Sequence, residues 1–258
     1  MLRLKFYGDE SGDSDSSLFR VSGYLMTDEQ FERWDSGIRA ALGNELKYFH
    51  MNEGHHLSHP EIYRSLISLI GPDSVLAGFD VSLYESEYNQ EALQIRNKQS
   101  LKYWIGDAYT FALQVLISRC GEWVADNLAA DEYIAYFFES GHPREGNAGY
   151  FLNQLPSRPQ EAQRVRARYA SHTFIAKDGP LGYLISPCDI LGWHLTNWQR
   201  SGNPQCDGLK SLLKTQTIYR HYSADDIRAQ FKKQIAYWQT VTSKGRPRNK
   251  IGRSERSE

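Results

Sequence analysis

The chain holds three cysteines in 258 residues, has a formal net charge of −1, and contains no long apolar run. Cys120, Cys188 and Cys206 are odd in number, far apart and never in Cys-x-x-Cys spacing. That pattern argues against a disulfide framework and a structural zinc site, and points to a reducing compartment. The longest apolar run, Tyr133 to Phe138, is far short of the ~20 residues that span a bilayer. Met1-Leu2-Arg3-Leu4-Lys5 lacks the apolar stretch of a secretory leader. A soluble, cytoplasmic protein with no membrane partner is expected. A pI near 6.7 leaves no global basic field to announce nucleic-acid binding, so any such contact must be local.

What is present is a core. Hydrophobic residues make up 40% and aromatics 13% of the chain, enough for one large domain, expected over residues 1–242. From Ser243 the apolar content vanishes, and Lys244, Arg246, Arg248, Lys250, Arg253 and Arg256 alternate with Gly, Pro, Ser and Asn. Residues 243–258 therefore read as a disordered basic tail that is either solubilising or in touch with a phosphate backbone.

The N-terminal run opens as a strand: Leu2, Leu4 and Phe6 recur with period two, with Arg3, Lys5 and Tyr7 on the other face. Asp9-Glu10-Ser11-Gly12-Asp13 follows directly. Such a segment is either a solvated turn or a carboxylate pair at a strand tip, and buried carboxylates need a cation or many donors. Leu18 to Met26 pairs back as a hairpin, and Thr27 or Asp28 caps a helix carrying Phe31, Trp34 and Ile38 to Gly43-Asn44. A short helix from Pro60, a strand over 74–83 and a long helix over 98–124 follow. Tyr133 to Phe138 predicts a strand buried on both faces, interior and parallel to the first, ending in Glu139. Arg164, Arg166 and Arg168 form either a solvated helix face or a phosphate-contacting patch. A strand over 169–176 precedes a helix from Cys188 to Arg200 with Asp189 in its first turn, and Ser223-Ala224-Asp225-Asp226 caps a final helix.

Four of the eight histidines fall between His50 and His59. They have no metal-ligand template of their own; His50 and Glu53 are retained as functional candidates, with Lys47 nearby, and the others read as solvated loop residues.

Gly8-Asp9-Glu10-Ser11-Gly12-Asp13, Glu45-Leu46-Lys47-Tyr48-Phe49-His50, Phe138-Glu139 and Pro187-Cys188-Asp189-Ile190-Leu191-Gly192 together resemble the domain of unknown function 3800 family, over roughly residues 4 to 200. The resemblance implies an α/β, ribonuclease-H-like mixed sheet flanked by helices, here with a C-terminal helical extension. It also implies a metal-dependent nuclease activity of bacterial or phage type. Two positions depart from the family pattern: Cys188 replaces the usual small residue before the aspartate, and Glu139 stands where many relatives carry Asp.

The residues read alone lead to the same expectation. Carboxylates at two strand ends and a helix start can gather at one point, whereas scattered surface acids would not fall at element ends. The expected cluster is Asp9, Glu10, Glu139 and Asp189, holding Mg2+ or Mn2+ and acting on RNA or DNA, with Lys47 and His50 orienting water or balancing phosphate charge. Two other readings stay open: a non-catalytic nucleic-acid or protein-binding module on the same fold, and a metal-free carboxylate-pair hydrolase such as a glycosidase.

Overall fold

The first strand, β1 (Arg3–Asp13), runs straight through the acidic motif instead of ending before it. A computed structural model of the chain describes residues 3–13, 16–96, 106–128, 132–155, 168–202, 207–212 and 214–243. β1 pairs antiparallel with β2 (Leu18–Thr27), and the ladder includes Asp9 opposite Ser22 and Glu10 opposite Val21. The solvated-turn alternative for Asp9 to Gly12 is thereby corrected: backbone pairing with an apolar partner strand overrides the local turn preference of Asp and Gly. β3 (Ala77–Tyr84), β4 (Tyr133–Glu139), β5 (Tyr169–Ile175) and β6 (Thr217–Tyr222) complete a six-stranded mixed sheet of order β5-β4-β1-β2-β3-β6. β4 lies parallel to β1 and to β5, and is interior as expected.

Helices cover both faces. In chain order they are α1 (Asp28–Leu42), α2 (His55–Ser58), α3 (Pro60–Leu69), α4 (Glu85–Arg96), α5 (Ala108–Asn127), α6 (Glu145–Gln154), α7 (Ser186–Ser201), α8 (Asp207–Leu212) and α9 (Ala224–Ser243). The caps are local and legible. Thr27 and Gln30 form a capping box on α1, which stops at Gly43, and Ser223 with Asp226 does the same for α9. One face of the sheet packs Leu4, Phe6, Val21, Phe79, Tyr136 and Phe138 against α5 and its neighbours.

The opposite face is divided. Tyr7, Tyr24 and Met26 are packed with Trp34 and Ile38 of α1 in an apolar half, and the Trp34 indole donates to Leu184 O at 3.1 Å. Farther along the same face, Asp9, Ser11, Arg20, Ser22, Asp80 and Ser82 alternate inward, and α7 packs against this end of β1 and β2. A buried polar half of this kind needs internal partners for each group.

Several boundaries differ from expectation. β4 is fully buried on one face, through Ile134, Tyr136 and Phe138, while Tyr133, Ala135 and Phe137 are only partly covered. The long helix starts at Ala108 behind the cap Asp107; residues 97–105, and with them its expected beginning, lie outside the described residues. So do Arg164, Arg166, Cys206 and the basic tail from Lys244. Arg168 is buried and its guanidinium faces Glu132 O, so it is not part of a solvated helix face.

Candidate metal centre

Three elements distant in sequence bring carboxylates together. Asp9 is on β1, on the α7 side with Tyr7, and is 2% exposed. Glu139 follows Phe138, the partner of Gly8 on β1, and shares the face on which Phe137 stacks against Tyr7. Asp189 sits in the first turn of α7, just after Pro187, and is 3% exposed. Cys188 beside it is fully buried, with its thiol donating to Tyr7 O at 3.2 Å, so the side chain fits at this position.

α7 approaches the sheet closely because residue 192 is glycine. A Cβ there would lie 2.5 Å from Ser11 Oγ and 3.5 Å from Ser22 Oγ, so any side chain would push the helix, and Asp189 with it, off β1.

His50 is delivered by a loop that crosses the start of α7. Its neighbours Phe49 and Met51 are both buried; the Phe49 N–H donates to Ser186 Oγ at 2.9 Å and the Met51 N–H to Asp189 Oδ2 at 2.6 Å. Pinned on both sides, His50 adopts extended backbone and places Nε2 3.4 Å from Asp189 Oδ1.

Ligand atoms of Asp9, His50 and Asp189 lie within 4.8 Å of one another. Asp9 Oδ1 accepts the Glu10 N–H at 2.8 Å, whereas Asp9 Oδ2 and His50 Nδ1 are buried without a hydrogen-bond partner. Burial, followed by the charges of Glu139 and Asp189, holds the Asp9 carboxyl far above the ordinary carboxylate range. Burial likewise raises Asp189 to about 7, against the opposing pull of the Met51 N–H. Burial lowers His50 to about 4, so its imidazole is neutral at pH 7 and able to donate a lone pair to a cation.

The other expected residues are distributed unevenly. Glu139 stands close enough for its charge to act on Asp9, but outside the triad. Strand alternation sends Glu10 to the opposite face of β1, toward Tyr109 and Glu145; burial, then Glu139 and Glu145, raise it to about 8, and its Oε2 has no partner. Lys47 is exposed and lines a separate cleft of about 690 Å3 with Arg39, Asp178 and Tyr183. The lysine whose charge reaches the centre is Lys177, which acts on both Asp189 and His50 and pairs with Glu53 Oε1 at 2.5 Å. A lone lysine after a strand carries no pattern in sequence. Its turn depends on Gly182, where an added Cβ would sit 1.9 Å from Lys177 O.

The remaining histidines disperse. His55 Nδ1 accepts the His50 N–H at 3.0 Å, His56 packs on Trp193, and His59 faces exposed Glu45 and Glu61. On the sheet next to the centre lies a second polar group of opposite character. Arg20 donates to Asp80 Oδ2 at 2.6 Å and to Gln199 Oε1 of α7 at 2.5 Å, and Ser22 donates to Asp80 Oδ1 at 2.6 Å. Among the described residues no helix is long and apolar enough to cross a membrane.

Compared with known proteins, the chain matches no protein-family model and no curated protein.

Proposed function

We propose that the chain is a divalent-metal-dependent nuclease with a ribonuclease-H-like fold, related to the domain of unknown function 3800 family, that hydrolyses phosphodiester bonds in RNA or DNA. The observation that carries this reading is the environment of Asp9. A carboxylate that is 2% exposed, with one oxygen unpartnered, faces two further acids and a neutral imidazole. Uncompensated, such a group costs several kcal/mol to bury; a bound cation removes that cost. The mixed sheet supports the reading too, since its antiparallel β1–β2 hairpin and interior parallel β4 are the arrangement anticipated for this fold.

The donor set fits a cation. Carboxylate oxygens suit Mg2+ or Mn2+, and the imidazole of His50 moves the preference toward Mn2+. When bound, such an ion supplies positive charge to a developing oxyanion and acidifies a water. Asp9 and Asp189 would hold it, with His50 as the nitrogen ligand; Glu10, on the opposite face of β1, stands outside this set. Glu139, half-buried beside Asp9, accepts a proton from the attacking water. Lys177 balances phosphate charge in the role first expected of Lys47.

The test is incubation of the full chain with single-stranded and duplex RNA and DNA in Mn2+, in Mg2+ and after metal removal. Cleavage should need metal and should fall by more than about 100-fold in Asp9→Asn and Asp189→Asn. Binding without cleavage would hand the fold to the binding-module reading. Hydrolysis of a glycoside indifferent to metal removal would favour the carboxylate-pair hydrolase.

A further inference from the structure

Beside the carboxylate centre lies a cleft of about 480 Å3 whose walls include Glu10, Ser11, Phe19, Asn52, Glu85 and His142. Its size is that of a small-ligand site. Two segments run from the centre into its wall: Glu10 and Ser11 follow Asp9 on β1, and Asn52 follows Met51, whose N–H holds Asp189.

The chemistry of its walls is selective. His142 stacks on Tyr109, with ring centroids 4.0 Å apart and planes at 21°, and meets Phe19 edge-on at 5.8 Å, so a preformed aromatic group stands in the wall. Among the described residues no lysine or arginine lines the cleft, whereas Glu10 and Glu85 do, and Glu10 Oε2 is buried without a hydrogen-bond partner. A phosphate would be repelled from such a place. A flat, uncharged ring bearing amino groups and ring acceptors would stack on the aromatics and exchange hydrogen bonds with the two carboxyl groups.

From this arrangement we infer that the cleft receives an unpaired nucleobase adjacent to the scissile phosphate, which makes single-stranded nucleic acid the substrate. The inference rests on the nuclease reading. Bases of a duplex are paired and stacked and cannot enter, while a single strand can turn one base out.

The experiment compares wild type, Asn52→Ala, His142→Ala and His142→Phe. Binding of labelled single-stranded and duplex oligonucleotides is measured in Ca2+, cleavage in Mn2+, and Mn2+ binding by the rise in melting temperature. Wild type should favour single strands by about 10-fold, a factor that base stacking on an aromatic ring supplies. Asn52→Ala and His142→Ala should erase most of that preference with the Mn2+ response intact, and His142→Phe, which keeps a ring, should retain it. Asn52 is exposed, so its truncation leaves the packing undisturbed. Equal binding and cutting of single strands and duplexes, or no effect of either alanine, would overturn the base-binding assignment while cleavage kept the nuclease reading standing. A chain that responds to Mn2+ but neither binds nor cuts any oligonucleotide would overturn both.

Discussion

Asp9 and Asp80 occupy one row of the sheet, each directly paired with Ser22, and among the described residues only Asp80 has a cationic partner. Both carboxylates are 2% exposed. Asp80 is held by the Arg20 guanidinium at 2.6 Å and by the Ser22 hydroxyl, whereas Asp9 faces Glu139 and Asp189. The same sheet face thus offsets the burial of one acid with an arginine and gives the other no cationic partner among the described residues; in the proposed reading a divalent cation takes that place.

Replacing Asp9 with Asn should stabilise the metal-free protein, because it removes one of several mutually repelling acids. A gain of about 1 kcal/mol corresponds to roughly 2–4 °C in melting temperature for a chain of this size. Saturating Mn2+ should reverse the order by stabilising wild type through mass action. Thermal melts of both proteins with and without Mn2+ check this; identical metal responses would remove Asp9 from the centre.

Asp189 gives a pH dependence of definite sign. Its folded value of about 7 lies above the ordinary 3.8, so the native state keeps a proton that the unfolded chain has lost. Its contribution is therefore complete below about pH 4 and disappears as pH rises through 7. Comparison with Asp189→Asn isolates it: the two metal-free proteins should be similar near pH 4, and the variant should become the more stable toward pH 7. Chemical denaturation across that range measures the difference, which saturating Mn2+ should invert at neutral pH.

Arg20→Met should cost about 3–5 kcal/mol, because it strands the buried Asp80 charge. The double variant Arg20→Met/Asp80→Leu should recover most of that loss, and a Mn2+-dependent rise in melting temperature should persist in it. Denaturant titration of the single and double variants tests the pair as a structural one.

Gly192→Ala should destabilise the fold by about 1–3 kcal/mol through overpacking against Ser11. It should also weaken Mn2+ binding by about 10-fold, since α7 carries Asp189. Ser11→Gly in the same chain removes the atoms in the way and should restore much of both. Calorimetric Mn2+ titration of the single and double variants decides the matter.

His50→Ala should weaken Mn2+ more than Mg2+, because imidazole nitrogen favours the former and oxygen ligands the latter. Parallel titrations with the two ions give the ratio; an equal loss would place His50 outside the first set of ligands.

Local physics made much of the fold legible. Thr27 with Gln30, Gly43, Pro60 and Ser223 with Asp226 mark helix ends through their own hydrogen bonds and backbone preferences, so α1, α3 and α9 are written in short segments. The apolar Tyr133 to Phe138 run similarly announced an interior strand. α4 escaped because it buries little beyond Tyr88, Glu91 and Ala92, and β6 because only Tyr222 of its residues is fully buried and its pairing with β3 is distant in sequence.

Period and capping, properties of neighbours along the chain, were enough to put Glu139 at the end of a strand and Asp189 at the start of a helix, whereas Asp9 and Glu10, expected at a strand tip, lie inside β1. Tertiary structure decided what those carboxylates became. It drew the acidic motif into a ladder with β2, split Asp9 and Glu10 onto opposite faces, pinned His50 between Phe49 and Met51, and brought Lys177 in place of Lys47. Each of these depends on contacts between segments more than a hundred residues apart or on strand pairing, and such contacts are fixed only when the sheet and α7 close on one another.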